Sequence, residues 1–177
     1  MTVSQNGQAT PRKRASILIV EDNVPLATCL EMLLEAHSYE VSRTADGFGG
    51  LESIKLMDFD VILCDLMMPG LTGDRLHSEV RRIKPHLCDR FIFMSGDPDK
   101  GKWAKSLAST DRPIFEKPFA LTELLKVIEE VVQANPGRNV RSQSSPASVC
   151  PRPYHRGWGT SFVKRNLGKS YGNVEVE

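Results

Sequence analysis

The sequence has no apolar run approaching the roughly 20 residues that cross a bilayer, and Met1 to Arg14 is polar rather than a charged start followed by a greasy stretch. On that pattern neither a membrane span nor a secretory leader is expected, and the chain reads as cytoplasmic with no membrane partner. Cysteine pairs are missing too. Cys29, Cys64, Cys88 and Cys150 are scattered without a C-x-x-C, which excludes the common zinc spacings and argues against a disulfide scaffold, so reduced thiols are expected. His37, His77, His86 and His155 contain no H-x-x-x-H pair, so no two imidazoles share a helical face and metal binding through nitrogen or sulfur is not expected.

A large charge of one sign is also lacking, since the net value is +1. That near-zero total conceals a division. Ala15 to Val132 holds 13 Lys or Arg against 20 Asp or Glu, while the head contributes Arg12, Lys13 and Arg14 and the chain from Gln133 onward carries seven basic against two acidic residues. An acidic domain with basic ends follows. With 177 residues, 40% hydrophobic and 25% charged, collagen-like and wholly disordered chains are excluded and one core is expected.

Short apolar runs at Ile17–Val20, Asp60–Cys64, Phe91–Met94 and Ile114–Phe115 read as strands, with Tyr39–Thr44 a weaker one. Apolar on successive positions and rich in Ile and Val, they suit a parallel sheet covered on both faces. Between them lie helical patterns. Leu121, Leu124, Leu125, Ile128, Val131 and Val132 recur at three- and four-residue steps. Leu26, Leu30, Leu33 and Leu34 follow Pro25, a residue suited to a first turn; Leu51 and Ile54, and then Leu76, Val80 and Ile83, mark two more helices, and Lys102–Ser109 a fifth. Strands alternating with helices indicate repeated βαβ units, hence an α/β fold with a doubly wound five-stranded parallel sheet and five helices over residues 15–133. Residues 1–14 are expected to form a flexible basic head. Residues 134–177, rich in Asn, Pro, Gly, Arg and Ser and without apolar period, are expected to be a disordered basic tail that holds nucleic acid weakly if at all.

In a doubly wound sheet, ligands bind at the carboxyl ends of the strands. Those ends carry Glu21-Asp22, Asp65, Ser95 and Lys117-Pro118. Carboxylates brought together repel by about 4 kcal/mol for each pair about 4 Å apart at an effective dielectric of about 20. A hard cation between them resolves the repulsion, and oxygen-only ligands with room for phosphate suit Mg²⁺. Asp65 then serves as nucleophile, Lys117 neutralises phosphoryl oxygens and Ser95 donates a hydrogen bond, which together make an acyl-phosphate site.

Four segments carry a resemblance: ILIVEDN (17–23), LCDLMMPGLTG (63–73), FMSGD (93–97) and FEKPF (115–119). In order and spacing they closely resemble the receiver domain of bacterial two-component response regulators, over Ser16 to Val132. The resemblance implies the flavodoxin-like receiver fold and a phosphoryl group passed to Asp65 from a histidine kinase or histidine phosphotransfer protein. It implies Mg²⁺ on Glu21, Asp22, Asp65 and the Met67 carbonyl. Ser95 would be the switch hydroxyl, Phe115 the switch aromatic and Lys117 the phosphoryl contact, with a cis bond before Pro118. An unknown downstream protein would read the change on the face of the Lys102–Ser109 helix, the last strand and the last helix.

Blander roles exist for each residue taken alone. Glu21 and Asp22 can begin a helix, Asp65 can cap the turn before Pro69, Lys117 can be a solvated amine, and Phe115 and Cys64 can be plain core. Their joint placement at strand ends favours the site. Two other classes compete. Hydrolases of the haloacid-dehalogenase type share the aspartyl phosphate, but their D-x-D motif is absent, because Asp65 is followed by Leu66 and Met67. A receiver-fold interaction module that is never phosphorylated would not need the intact set of Glu21, Asp22, Asp65, Ser95 and Lys117. A phosphoacceptor signalling domain, not a turnover enzyme, is the expectation.

Overall fold

Three segments, SILIV, VILCD and FIFMS, are buried at every position, as strands must be when helices cover both faces of a sheet. They become β1 (Ser16–Val20), β3 (Val61–Asp65) and β4 (Phe91–Ser95). The computed structural model describes residues 14–96 and 110–135. The head before residue 14, the helix expected over Lys102–Ser109, and the tail beyond residue 135 with Cys150 and His155 lie outside the described residues.

The edge strands are β2 (Glu40–Thr44) and β5 (Ile114–Glu116), and all five strands run parallel in the order β2-β1-β3-β4-β5. Edge position explains their weak sequence signal: β2 has no buried residue and β5 buries only Phe115. The α-helices among the described residues are α1 (Val24–Ala36), α2 (Gly47–Leu56), α3 (Gly73–Ile83) and α4 (Leu121–Ala134), with a 3-10 helix at Pro85–Arg90. None is long and apolar enough to cross a membrane.

Local chemistry sets the boundaries. Asn23, not the acidic pair before it, caps α1: its side chain accepts the Leu26 N–H at 3.1 Å. Asp46 caps α2 through the Gly49 N–H at 2.8 Å. The third strand starts at Val61, one residue later than the apolar run suggests, because the Asp60 carboxylate turns aside to accept Ser16 N–H at 2.9 Å and Ser16 Oγ–H at 3.1 Å. The 3-10 helix was not anticipated from the sequence. Its Arg90 is buried and donates to the Phe59 carbonyl at 2.7 Å.

Each sheet face carries its own core. Leu18, Val20, Ile62, Cys64, Phe91 and Phe93 meet Ile54 of α2 and Leu76 and Val80 of α3 on one side. Ile17, Ile19, Leu63, Ile92, Met94 and Phe115 meet Leu30 and Leu34 of α1 and Leu124, Ile128 and Val131 of α4 on the other. The chain thus crosses to opposite faces after β1 and after β3, and strand order reverses between these two strands. The carboxyl ends of these two strands thus lie at the switch point, the place where ligands bind in such sheets.

Candidate functional site

The register places the carboxylates side by side. Val20 of β1 lies opposite Cys64 of β3, so the next residues along, Glu21 and Asp65, emerge together at the switch point. Both are buried, while Asp22 is exposed beside them. One oxygen from each of Glu21, Asp22 and Asp65 lies within 4.8 Å of the others.

Lys117, reached just after β5, closes the cluster. Its ammonium donates to Glu21 Oε2 at 2.7 Å and to Asp65 Oδ2 at 2.7 Å. The remaining oxygens of the pair are held by backbone: Glu21 Oε1 accepts the Asn23 N–H at 3.3 Å and Asp65 Oδ1 accepts the Met67 N–H at 3.0 Å. Burial pushes the Glu21 carboxyl above its usual range and the charge of Asp65 adds to that, against the opposing pull of Lys117. Burial works in the reverse sense on Lys117, yet its bonds to Asp65 and Glu21 more than offset it, so the amine stays charged to higher pH than usual. The Lys117 ammonium therefore offsets only one of two adjacent buried carboxylate charges, and Asp22 adds to the excess negative charge of the cluster. All its donors are oxygen, which fits a hard divalent cation rather than a soft one.

The other anticipated residues stand at different distances from this centre. Ser95, the last residue of β4, is buried, and its carbonyl accepts the Lys117 N–H at 2.7 Å. Asp65 pairs with Met94 across the β3–β4 ladder, which sets Ser95 one step beyond Asp65 on the next strand. Met67 is about half exposed, on the loop that leaves Asp65. The Lys117-Pro118 bond is cis. Phe115 is part of the α1/α4 core and packs edge-on against Phe119, ring centres 5.5 Å apart. Cys64 is a buried strand residue whose thiol burial pushes well above its ordinary value.

Some participants were not foreseen from the sequence. Asn23 holds Glu21 through its N–H and caps α1 with its side chain, and the pattern of Asn before Val-Pro was a legible signal for the cap. Gly73 was not legible as a participant. It begins α3 so close to β3 that a Cβ there would overlap the Asp65 carbonyl oxygen and lie 3.0 Å from Cys64 Sγ.

Comparison with known proteins agrees with this geometry. Residues 17–129 match the response regulator receiver domain. The response regulator ArlR of Staphylococcus saprophyticus is 32% identical over 124 residues, 70% of this chain and 55% of that protein. The chain thus spans about half the length of the curated relatives it matches. Among solved structures, a CheY-like receiver domain protein from Methanospirillum hungatei is 26% identical with TM-score 0.63, covering 68% of this chain and 95% of that one. The receiver domain of a sensor histidine kinase from Pseudomonas aeruginosa, which has a magnesium ion coordinated in its active-site cleft, is 25% identical with TM-score 0.59, covering 68% and 98%. The acidic cluster at the β1/β3 switch point, the lysine set into it and the match over residues 17–129 lead to one assignment: this chain belongs to the response regulator receiver domain family.

Proposed function

We propose that Asp65 accepts a phosphoryl group from the phosphohistidine of a histidine kinase or histidine phosphotransfer protein. One observation carries the reading: Lys117 Nζ stands 2.7 Å from both Asp65 and Glu21 at the carboxyl edge of the sheet. In the transfer, an Asp65 carboxylate oxygen attacks phosphorus, the P–N bond breaks, and its electron pair returns to the imidazole nitrogen. Lys117 shifts hydrogen bonds from carboxylate to the incoming phosphoryl oxygens and so offsets part of their negative charge. Mg²⁺, when bound, supplies further neutralisation of those oxygens. Glu21, Asp22, Asp65 and the Met67 carbonyl would hold it.

The Ser95 hydroxyl then donates to the phosphoryl group, and its movement frees volume that the Phe115 ring fills. This biases two existing packings rather than creating a new fold. The changed face is read by a downstream protein. In this reading residues 15–133 form the working unit in the cytoplasm, and the head 1–14 and tail 134–177 lie outside phosphotransfer. Because the phosphoryl group stays on its own Asp65 as the signal, the chain is not a turnover enzyme and assists only its own phosphorylation and dephosphorylation.

Asp65→Asn tests the assignment. Hydroxylamine-sensitive label taken from acetyl phosphate should vanish in the variant and be present in the parent. Label surviving in the variant shows that the site is misassigned, and a parent that takes no label favours the interaction module that is never phosphorylated.

A further inference from the structure

The first turn of α2 bridges the two chain segments that carry the buried carboxylates. On one side the Glu21 N–H donates to the Thr44 carbonyl at 3.1 Å, and Thr44 leads through the cap residue Asp46 into Gly47. On the other side Gly47 lies against the loop that follows Asp65. A Cβ on Gly47 would overlap the Leu71 carbonyl oxygen and lie 2.9 Å from Leu71 Cβ, so no other residue fits without moving backbone.

The loop makes the reciprocal concession. Gly70 takes a left-handed φ of 77°, and the Phe48 ring edge lies 3.1 Å from where its Cβ would be. Phe48 is 60% exposed, so its place is not explained by the core. One glycine on each segment thus admits the other segment. The loop then closes through Gly73 N–H to Leu66 O at 3.3 Å, directly beneath the Asp65 backbone.

We propose that Phe48, seated on Gly70, is a positioning residue for the cation site. With Gly47 it holds the loop 66–72, and through that loop Asp65 and Met67, at the spacing from Glu21 and Asp22 that a divalent ion needs. The inference rests on the phosphoacceptor reading. Rigid placement matters there because a small hard cation tolerates little departure from its preferred ligand geometry. Removing the ring leaves every carboxylate in the chain but loosens their separation.

The test uses the full chain, with Mg²⁺ alone as probe in calorimetric titration and amide hydrogen exchange at Gly73 as a second readout. Phe48→Ala should raise the Mg²⁺ dissociation constant roughly tenfold, the low end for loss of a supporting contact at a metal site. It should also speed Gly73 exchange while leaving the thermal midpoint close to that of the parent, because an exposed ring adds little to the core. Phe48→Tyr keeps the ring and should restore both. A folded Phe48→Ala protein with an unchanged constant overturns the inference. A weakened constant with unchanged exchange at Gly73 overturns the loop route. A parent chain that binds no Mg²⁺ sinks the phosphoacceptor reading and this inference with it, whereas normal binding in both proteins sinks this inference alone.

Discussion

At the scale of single residues, the Lys117 amine holds the buried carboxylates of the site, and a buried imidazole elsewhere ties stability to pH. His77 on α3 packs edge-on against Phe91 and Phe93, with ring centres 4.9 and 5.6 Å away, and its Nε2 lies 3.4 Å from the Cys88 carbonyl. Burial, helped by the charge of Arg81, lowers its pKa from 6.5 to about 4, with Arg112 acting in the same sense and the Cys88 carbonyl and Asp89 opposing. A depressed folded value means that the unfolded chain binds the proton more readily. The stability this contributes is complete above pH 6.5 and is lost as pH falls through about 4. The loss is on the order of 3 kcal/mol. Urea unfolding of the parent and of His77→Phe across that window should show a steeper fall for the parent, and equal slopes would remove His77 from the acid response.

At the scale of elements, α1 stands out because its start adjoins the site without sharing its chemistry. The Asn23 side chain caps the helix, and only its backbone N–H reaches Glu21. Asn23→Ala should therefore lower global stability by about 1 kcal/mol, and Asn23→Gly by only a few tenths. Denaturant midpoints measure both, and equal losses in the two variants would mean that the cap is not the cause. The helices and inner strands among the described residues were legible in the sequence, because each buries one face or both and so repeats apolar residues at its own period. The 3-10 helix at Pro85–Arg90 was not, since it is held by Arg90 and the Phe59 carbonyl, residues 31 apart in the chain.

At the scale of the whole molecule, parallel strands bring like charges to a single edge, and the fold tolerates this only with compensation. Mg²⁺ should raise the thermal midpoint, by the equivalent of about 2.7 kcal/mol at a hundredfold excess over its dissociation constant. Asp22→Ala should shrink that metal-dependent rise while leaving the metal-free midpoint unchanged or higher, because a repelling carboxylate is removed. Thermal scans with and without Mg²⁺ decide the matter, and an equal rise in the variant would take Asp22 out of the metal site.

The grouping of the candidate site was already legible in the chain: Glu21-Asp22, Asp65 and Ser95 stand at the ends of apolar runs and Lys117 two residues past Ile114-Phe115, and a parallel sheet sends every run's carboxyl end to the same edge. That argument needs only periodicity, which is local. Only tertiary structure decided which oxygens share Lys117, that Asn23 rather than Asp22 begins α1, and that Gly47, Gly70 and Gly73 let α2, α3 and the Asp65 loop close on one another. Those outcomes depend on strand register and on backbone approach between distant segments. A glycine leaves no periodic trace of the neighbour it admits, and a salt bridge across 96 positions leaves none of its partner.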